Sequence, residues 1–518
     1  MFMRQHRPSF SWIAAVAALS TAGLGACVLS TEGRFMEGNA GAGGPGMEEE
    51  LAGTGGHAGS GDGTGGQGGS GGNGAGATCN ELGWSQRVAR TRAARQPAGL
   101  VTDAAGNIIL ASAFRGTLTT PEGSFEAGAE GDVLIAKFDT EGAPLWAKPL
   151  GAANPSDNGR EAAHSIALDG EDIVVTGLAD VNIDFGGGTS VLDGGRDNGF
   201  VLKLNAAGEH LWSKGYNDVT GRAIAARGGA VAMAGVMKAA FTPGDGVSTL
   251  PFGGGEDAVV LLFDSVGQAR WGRSFGDSSN QRGFAVAIDS TGAVIAGGEM
   301  QGTTAFSQDT TLSAINRAGF LVKLTSTGET AWAELHDGPN DQGLRAVAVD
   351  RNDDIIVAGE FRDSVDIDGM RLQASGGWDI YLAKLSSGGE LLWAKRLGES
   401  NDQYVHAVAL DEMGNIYLSG RFRGQLTLND TFTLNAGSRD SPFVAVFGAN
   451  GEALRGWCHP SNDRDQAVTA IAVDRCDKVV IAGTFDGHLD LGQGALPEGT
   501  GDELFLAKLR SIEPSLSP

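Results

Sequence analysis

The chain has 518 residues, 83 of them glycine, and carries 63 acidic against 38 basic side chains, a formal net charge of -25. That balance excludes nucleic acid and anionic membrane surfaces as partners, because neither gains from counterion release or surface potential here. Glycine at more than twice the ~7% average requires that part of the chain be low in complexity.

Residues 1–27 have the layout of a secretory signal, with Arg4, His6 and Arg7 ahead of an apolar run from Phe10 to Leu24. The run is shorter than the ~20 apolar residues that span a bilayer. It ends in Leu24-Gly25-Ala26-Cys27, which resembles the bacterial lipobox. The resemblance implies cleavage before Cys27 and lipidation of that residue, and two or more acyl chains anchor stably where one does not. Val28, not aspartate, follows the cysteine, so the resemblance also implies the outer membrane as destination. From 28 to 78 the chain is mostly Gly, Ala, Ser and Thr around an acidic island at Glu48–Glu50. Such a segment cannot bury enough apolar surface to offset its ordering entropy. It reads as a disordered tether with a reach of roughly 35 Å.

Residues 79–512 hold a repeat, and 513–518 form a short tail. Aligned on the residue after the first strand, the repeats place Asp103, Asp169, Asp289, Asp350, Asp411 and Asp474 at steps of about 60 residues, with Arg227 in the third repeat. A second strand follows and ends on Gly177, Gly235, Gly298, Gly359, Gly420 or Gly483, with Ser112 in the first repeat. An irregular stretch then leads to a third, strongly apolar strand. The fourth strand carries Trp146, Trp212, Trp271, Trp332 and Trp393, while the sixth repeat has Arg455 in that place and Trp457 just beyond. Four short strands per repeat, with no helical period, predict an all-β radial array of seven blades. First and second strands apolar on both faces fit sheets sandwiched between neighbours. Tryptophan fits the splayed outer edge, where wedge-shaped gaps need large side chains.

The last repeat stops at Leu509 after its third strand, and the repeat region opens with a fourth-type strand around Trp84. The expectation is that this N-terminal strand completes the last blade and closes the ring, removing exposed edges. Segments such as DEMGNIYLSGRFRG from Asp411 and GWDIYLAKLSSGGELLWAKRLG from Gly377 resemble the SBBP-type bacterial β-propeller repeats. That resemblance implies a seven-bladed β-propeller with four strands per blade, and it brings no shared catalytic residues. Cys79 lies just before the closing strand and Cys476 in the first hairpin of the seventh blade. A Cys79–Cys476 disulfide would pin the closure, with Cys458–Cys476 as the alternative in an export-compatible chain.

Candidate ligand-binding residues come from two loop sets at one end of the ring. Gln281, Gln342, Gln403 and Gln466 each lie eight residues before a landmark aspartate, and Asp132, Asp257, Asp379 and Asp502 sit just before third strands. Together they predict a polar, acidic rim suited to hydroxyl-rich ligands, or else a set of turn-capping groups. The carboxylates of Asp350–Asp354 and Asp363–Asp368 lack the ligand order of a specific calcium loop. His164 and His406, five residues before their landmarks, have no partner at metal-ligand spacing. No catalytic motif appears, and no cofactor or metal site is expected. The sequence therefore predicts a monomeric, lipid-anchored envelope propeller, a non-catalytic binding or scaffold module for a protein or polysaccharide. A hydrolase or lyase with its site at the channel mouth is the alternative.

Overall fold

The computed structural model describes residues 82–509, apart from 92–97, 121–122, 129, 152–158, 181–182, 188–191, 193–196, 431, 463, 475–476, 492–493 and 499–500. The signal segment with Cys27, the tether, the tail and the cysteines Cys79 and Cys476 lie outside the described residues.

Seven four-stranded antiparallel sheets follow one another along the chain. The inner strands of the seven blades are Gly99–Thr102, Glu161–Asp169, Val219–Arg227, Gln281–Ile288, Gln342–Val349, Gln403–Leu410 and Gln466–Val473. In the first six blades the second, third and outer strands follow in chain order. The seventh takes Val479–Phe485 and Glu503–Leu509, and its fourth position is held by Leu82–Arg90, which pairs with Glu503–Leu509. The apolar core is divided accordingly into seven clusters, each between two consecutive blades. One of them joins Val480, Leu504 and Leu506 of the seventh blade to Leu100, Ile108 and Leu134 of the first. Second and third strands are thus covered on both faces, which is why IIVAGEF and DIYLAKL are buried throughout.

The landmark aspartates close the hairpin between first and second strands. Asp289 Oδ1 accepts the amides of Thr291 and Ala293, both at 2.9 Å, and Asp103, Asp350 and Asp411 repeat the pattern. Their other oxygen meets a lysine from the third strand in five blades: Lys137, Lys203, Lys323, Lys384 and Lys508. Burial pushes the Asp289 carboxyl up, but Lys323 and the turn bonds outweigh it and hold it below the usual carboxylate range. The third blade lacks both partners, with Arg227 and Leu262 in their places, so no buried charge is left unpaired there. In the sixth blade Val446 replaces the lysine, and the Tyr417 hydroxyl donates to Asp411 at 3.2 Å. Lys384 Nζ lies 2.8 Å from Asp350 and 3.1 Å from Asp354, so the acidic turn already holds a cation of its own chain.

Tryptophans tie each outer strand to the following blade. Trp212 Nε1 donates to Ser265 O and Trp271 Nε1 to Ser326 O, both at 3.0 Å, across the boundaries between the second, third and fourth blades. The indoles lie on the glycine of the next blade's turn: a Cβ at Gly267 would fall 2.6 Å from Trp212, and one at Gly328 2.7 Å from Trp271. Trp84 stands in the same relation to Thr140 and Gly142 of the first blade. Arg455 occupies the tryptophan register opposite Val446, and the sixth outer strand, Ala453–Cys458, is present.

Two expectations need correction. The recurring glycine does not end the second strand: Gly420 lies inside Ile416–Phe422, and Gly298 inside Val294–Ala305. Nor is the following stretch always irregular. Thr117–Thr120 pairs with Gly123–Glu126, Ser364–Ile367 with Met370–Gln373, and Gln425–Asn429 with Phe432–Asn435. The ribbons of the fifth and sixth blades lie against the outer strands of their own blade and the preceding one. They fill the wedge that widens away from the axis, with Leu426 and Leu434 fully buried.

The glycine's real role is steric. A Cβ on Gly177, Gly235, Gly298, Gly359, Gly420 or Gly483 would overlap a carbonyl oxygen of its own inner strand. For Gly420 that oxygen belongs to Tyr404. Replacing Gly420 by Ala is expected to destabilise the protein by about 1–3 kcal/mol as an overpacked core does, read as a lower thermal unfolding midpoint; an unchanged midpoint would contradict the packing.

Candidate functional site

The carbonyl comes so close because the inner strand is bulged opposite the glycine. Pairing slips by one residue between Ala163 and Ser165, Gly221 and Ala223, Gly283 and Ala285, Leu344 and Ala346, Val405 and Ala407, and Val468 and Ala470. The skipped residues are His164, Arg222, Phe284, Arg345, His406 and Thr469. A bulge of this kind leaves one residue unpaired and re-aims its side chain. The first blade has Ser112 where the glycine would be, the described pairing of its inner strand begins at Gly99, and Ala98 stands at the equivalent place. All seven residues line one cavity of about 630 Å³ among the inner strands. Six glycine-backed bulges and Ala98 of the first blade therefore build a ring around the axis.

The cavity is charged on one side and small on the other. Arg222, Arg317, Arg345, Arg421, Glu299 and Glu360 line it together with Phe284 and Tyr404, and Ala98, Gly99, Thr469 and Ala470 are among the small residues that line it elsewhere. Glu299 Oε2 takes Arg345 at 3.0 Å, its Oε1 takes Arg282 at 2.9 Å, and Arg317 approaches at 3.7 Å. Glu360 lies 3.2 Å from Arg345. Burial pushes the Glu360 carboxyl up, against the pull of that guanidinium. Arg421 is held by Asp440 and stacks 3.8 Å over the Tyr404 ring. Arg345 lies 4.9 Å over Phe284. Arg222 is exposed in the cavity, and no carboxylate within ion-pair distance meets it among the described residues.

The two histidines join blades at the bulges. His164 Nδ1 donates to Gly221 O at 2.8 Å, just before the bulged Arg222, and His406 Nδ1 donates to Val468 O at 3.0 Å, just before Thr469. Among the described residues no group of three His, Cys, Asp or Glu side chains is placed to hold a metal ion.

The predicted rim residues take other positions. Gln281, Gln342, Gln403 and Gln466 are buried, none more than 3% exposed. Their Nε2 atoms bond the connection that follows the second strand: Gln301 O, Ser364 O at 3.2 Å, Gln425 O at 3.4 Å and His488 O at 3.0 Å. Asp257 and Asp379 are buried at the heads of third strands, accepting amides from Gly253 at 2.7 Å and Ser375 at 3.0 Å. Burial raises both carboxyls above the usual range, although Arg396 approaches Asp379 at 3.0 Å. Asp132 and Asp502 are half-buried, the first accepting Gly128 N and the second offering its carbonyl to Thr91. None of these eight residues lines the cavity. Cys458 is buried, with its Sγ 3.5 Å from Asn435 O.

Sequence spacing singled out His164 and His406 but not the other five ring positions, although the same count of five residues before each landmark finds them all. The signal was the glycine, whose steric need implies a bulge.

Burial, with the Arg222 guanidinium alongside, pushes the His164 pKa down to about 4 despite the bond to Gly221. An unfolded histidine binds its proton near 6.5, so between about pH 6.5 and pH 4 the unfolded state holds more protons and stability falls as the pH falls. The unfolding midpoint of His164→Gln should decline less steeply than wild type across that window; equal slopes would contradict the placement.

No family model matches the chain. Over 199 residues it is 26% identical to an uncharacterized WD repeat-containing protein of Acanthamoeba polyphaga mimivirus, covering 32% of this chain and 14% of that protein. Over 187 residues it is 24% identical to the regulatory protein FlaEY of Caulobacter vibrioides, covering 34% of this chain and 19% of that protein. The chain thus spans less than a fifth of either relative. Among solved structures, the RRP9 WD40 repeats match with 11% identity and a TM-score of 0.43, covering 82% of this chain and 100% of that one. A protein of unknown function from Dyadobacter fermentans matches with 10% identity and a TM-score of 0.41, covering 83% of this chain and 99% of that one. The seven-bladed propeller itself rests on the strand pairing.

Proposed function

We propose that this protein is a lipid-anchored β-propeller of the cell envelope, of the SBBP repeat type, that binds a protein or polysaccharide without catalysing a reaction. In this reading Cys27 carries the anchor, residues 28–78 hold the head away from the outer membrane, and the Leu82–Arg90 strand closes the ring. A Cys79–Cys476 bridge would secure that closure.

One observation carries the binding reading. At scaffold positions the blades repeat one another, with Gly, Asp, Lys and Trp recurring for packing reasons. At the ring position they repeat far less: Ala98, His164, Arg222, Phe284, Arg345, His406 and Thr469 bring five residue types to a shared cavity. Symmetry serves the frame, and departure from symmetry is what a particular ligand needs. The rim set of glutamines and aspartates braces the loops around that cavity, with Asp132 and Asp502 its most exposed members. We favour binding over hydrolysis because the cavity carboxylates Glu299 and Glu360 are each tied to arginine, which leaves neither as an open general acid or base.

The test is to offer envelope polysaccharide and envelope protein fractions separately to the full-length protein. One fraction should be retained unaltered in size, and retention should drop on Phe284→Ala. Retention of neither, or release of shortened polysaccharide, would overturn the reading, the latter in favour of the hydrolase or lyase.

A further inference from the structure

The four arginines of the cavity are not equivalent. Arg345 has Glu299 and Glu360, Arg317 has Glu299 at 3.7 Å and Asp341 at 3.5 Å, and Arg421 has Asp440. Among the described residues Arg222 has no such partner. Glu256, the acidic group that acts on it most strongly, is bound by Arg282 and lies 3.5 Å from Lys238. The fold nevertheless holds this cation at a bulge, between His164 and Phe284 on the ring, facing open volume.

An unpaired guanidinium in a confined cavity favours a matching anion, because bidentate N–H bonds to an oxyanion are charge-assisted and poorly screened there. Counting cavity-lining groups, four arginines stand against two glutamates, a local excess of positive charge inside a chain whose net charge is -25. The acidic exterior repels polyanions, whereas the interior attracts a single small one. The small sector opposite, Ala98, Gly99 and Thr469, leaves room for the body of such a molecule.

We infer that the channel cavity is a receptor for one small oxyanion group, a carboxylate or a phosphate, held by Arg222. The inference rests on reading the cavity as a binding site and names the chemistry that it takes. The carboxylate can belong to a sugar acid and the phosphate can be free, and the probes separate these sources.

Full-length protein is titrated calorimetrically with D-glucuronate and, separately, with inorganic phosphate, with glucose and sodium chloride as controls. Saturable binding of one or both anions is expected, with neither control binding. Affinity should weaken at least about tenfold in Arg222→Gln, the loss expected for one charge-assisted bond, and the unfolding midpoint of the unliganded variant should stay near wild type because no ion pair is removed. Absence of saturation by either anion up to about 10 mM, a concentration above the weakest useful affinity, would overturn the inference. Equal affinity in Arg222→Gln would overturn it too. Anion binding without retention of any envelope fraction would leave this inference standing and remove the partner reading above.

Discussion

The whole molecule depends on one local contact, the inner-strand bulge set against a glycine of the second strand. The bulge pushes a carbonyl oxygen into the space a Cβ would occupy, so only glycine can stand opposite. In return it turns one side chain per blade out of the ladder and toward the axis. Among the described residues six blades use this device, and the first, with Ser112 in place of the glycine, offers Ala98. Frame and cavity are therefore made by the same contact.

Around that inner ring the remaining repeated residues keep the blades in register. Aspartate fixes the first hairpin, and a third-strand lysine pairs with it where both are buried. In every blade but the sixth, tryptophan reaches from the outer strand onto a glycine turn of the next blade, so a contact within one sheet becomes a contact between two. Ribbons of unequal length fill what the indoles leave open. Because the apolar core is split into seven interface clusters, no blade has a core of its own, and stability comes from neighbours.

Repeated positions were legible in the sequence because the same packing problem recurs in every blade. The landmark aspartates, the glycines, the tryptophans and even Arg455 in place of tryptophan fall in the registers that spacing predicts. The ribbons were not legible although Thr117–Thr120, Ser364–Ile367 and Gln425–Asn429 begin at one common distance from their landmark aspartates, because their apolar alternation is only four or five residues long. The glutamines were visible as a pattern, but whether an amide faces solvent or bonds a carbonyl depends on burial, which spacing does not encode. The cavity ring was hidden for the opposite reason. His164, Arg222, Phe284 and Thr469 share a position and no chemistry, so a search for recurrence passes over them.

The central claim is that bulged positions face the cavity, whereas preceding residues such as Leu344 and Val468 are packed inside the blades. Cysteine substitution with a small water-soluble thiol reagent tests this directly on the folded protein. The account predicts that Arg222→Cys and Phe284→Cys are modified, while Leu344→Cys and Val468→Cys, at the fully buried preceding position, are protected. Rapid modification of the latter pair, or protection of the former, would contradict it.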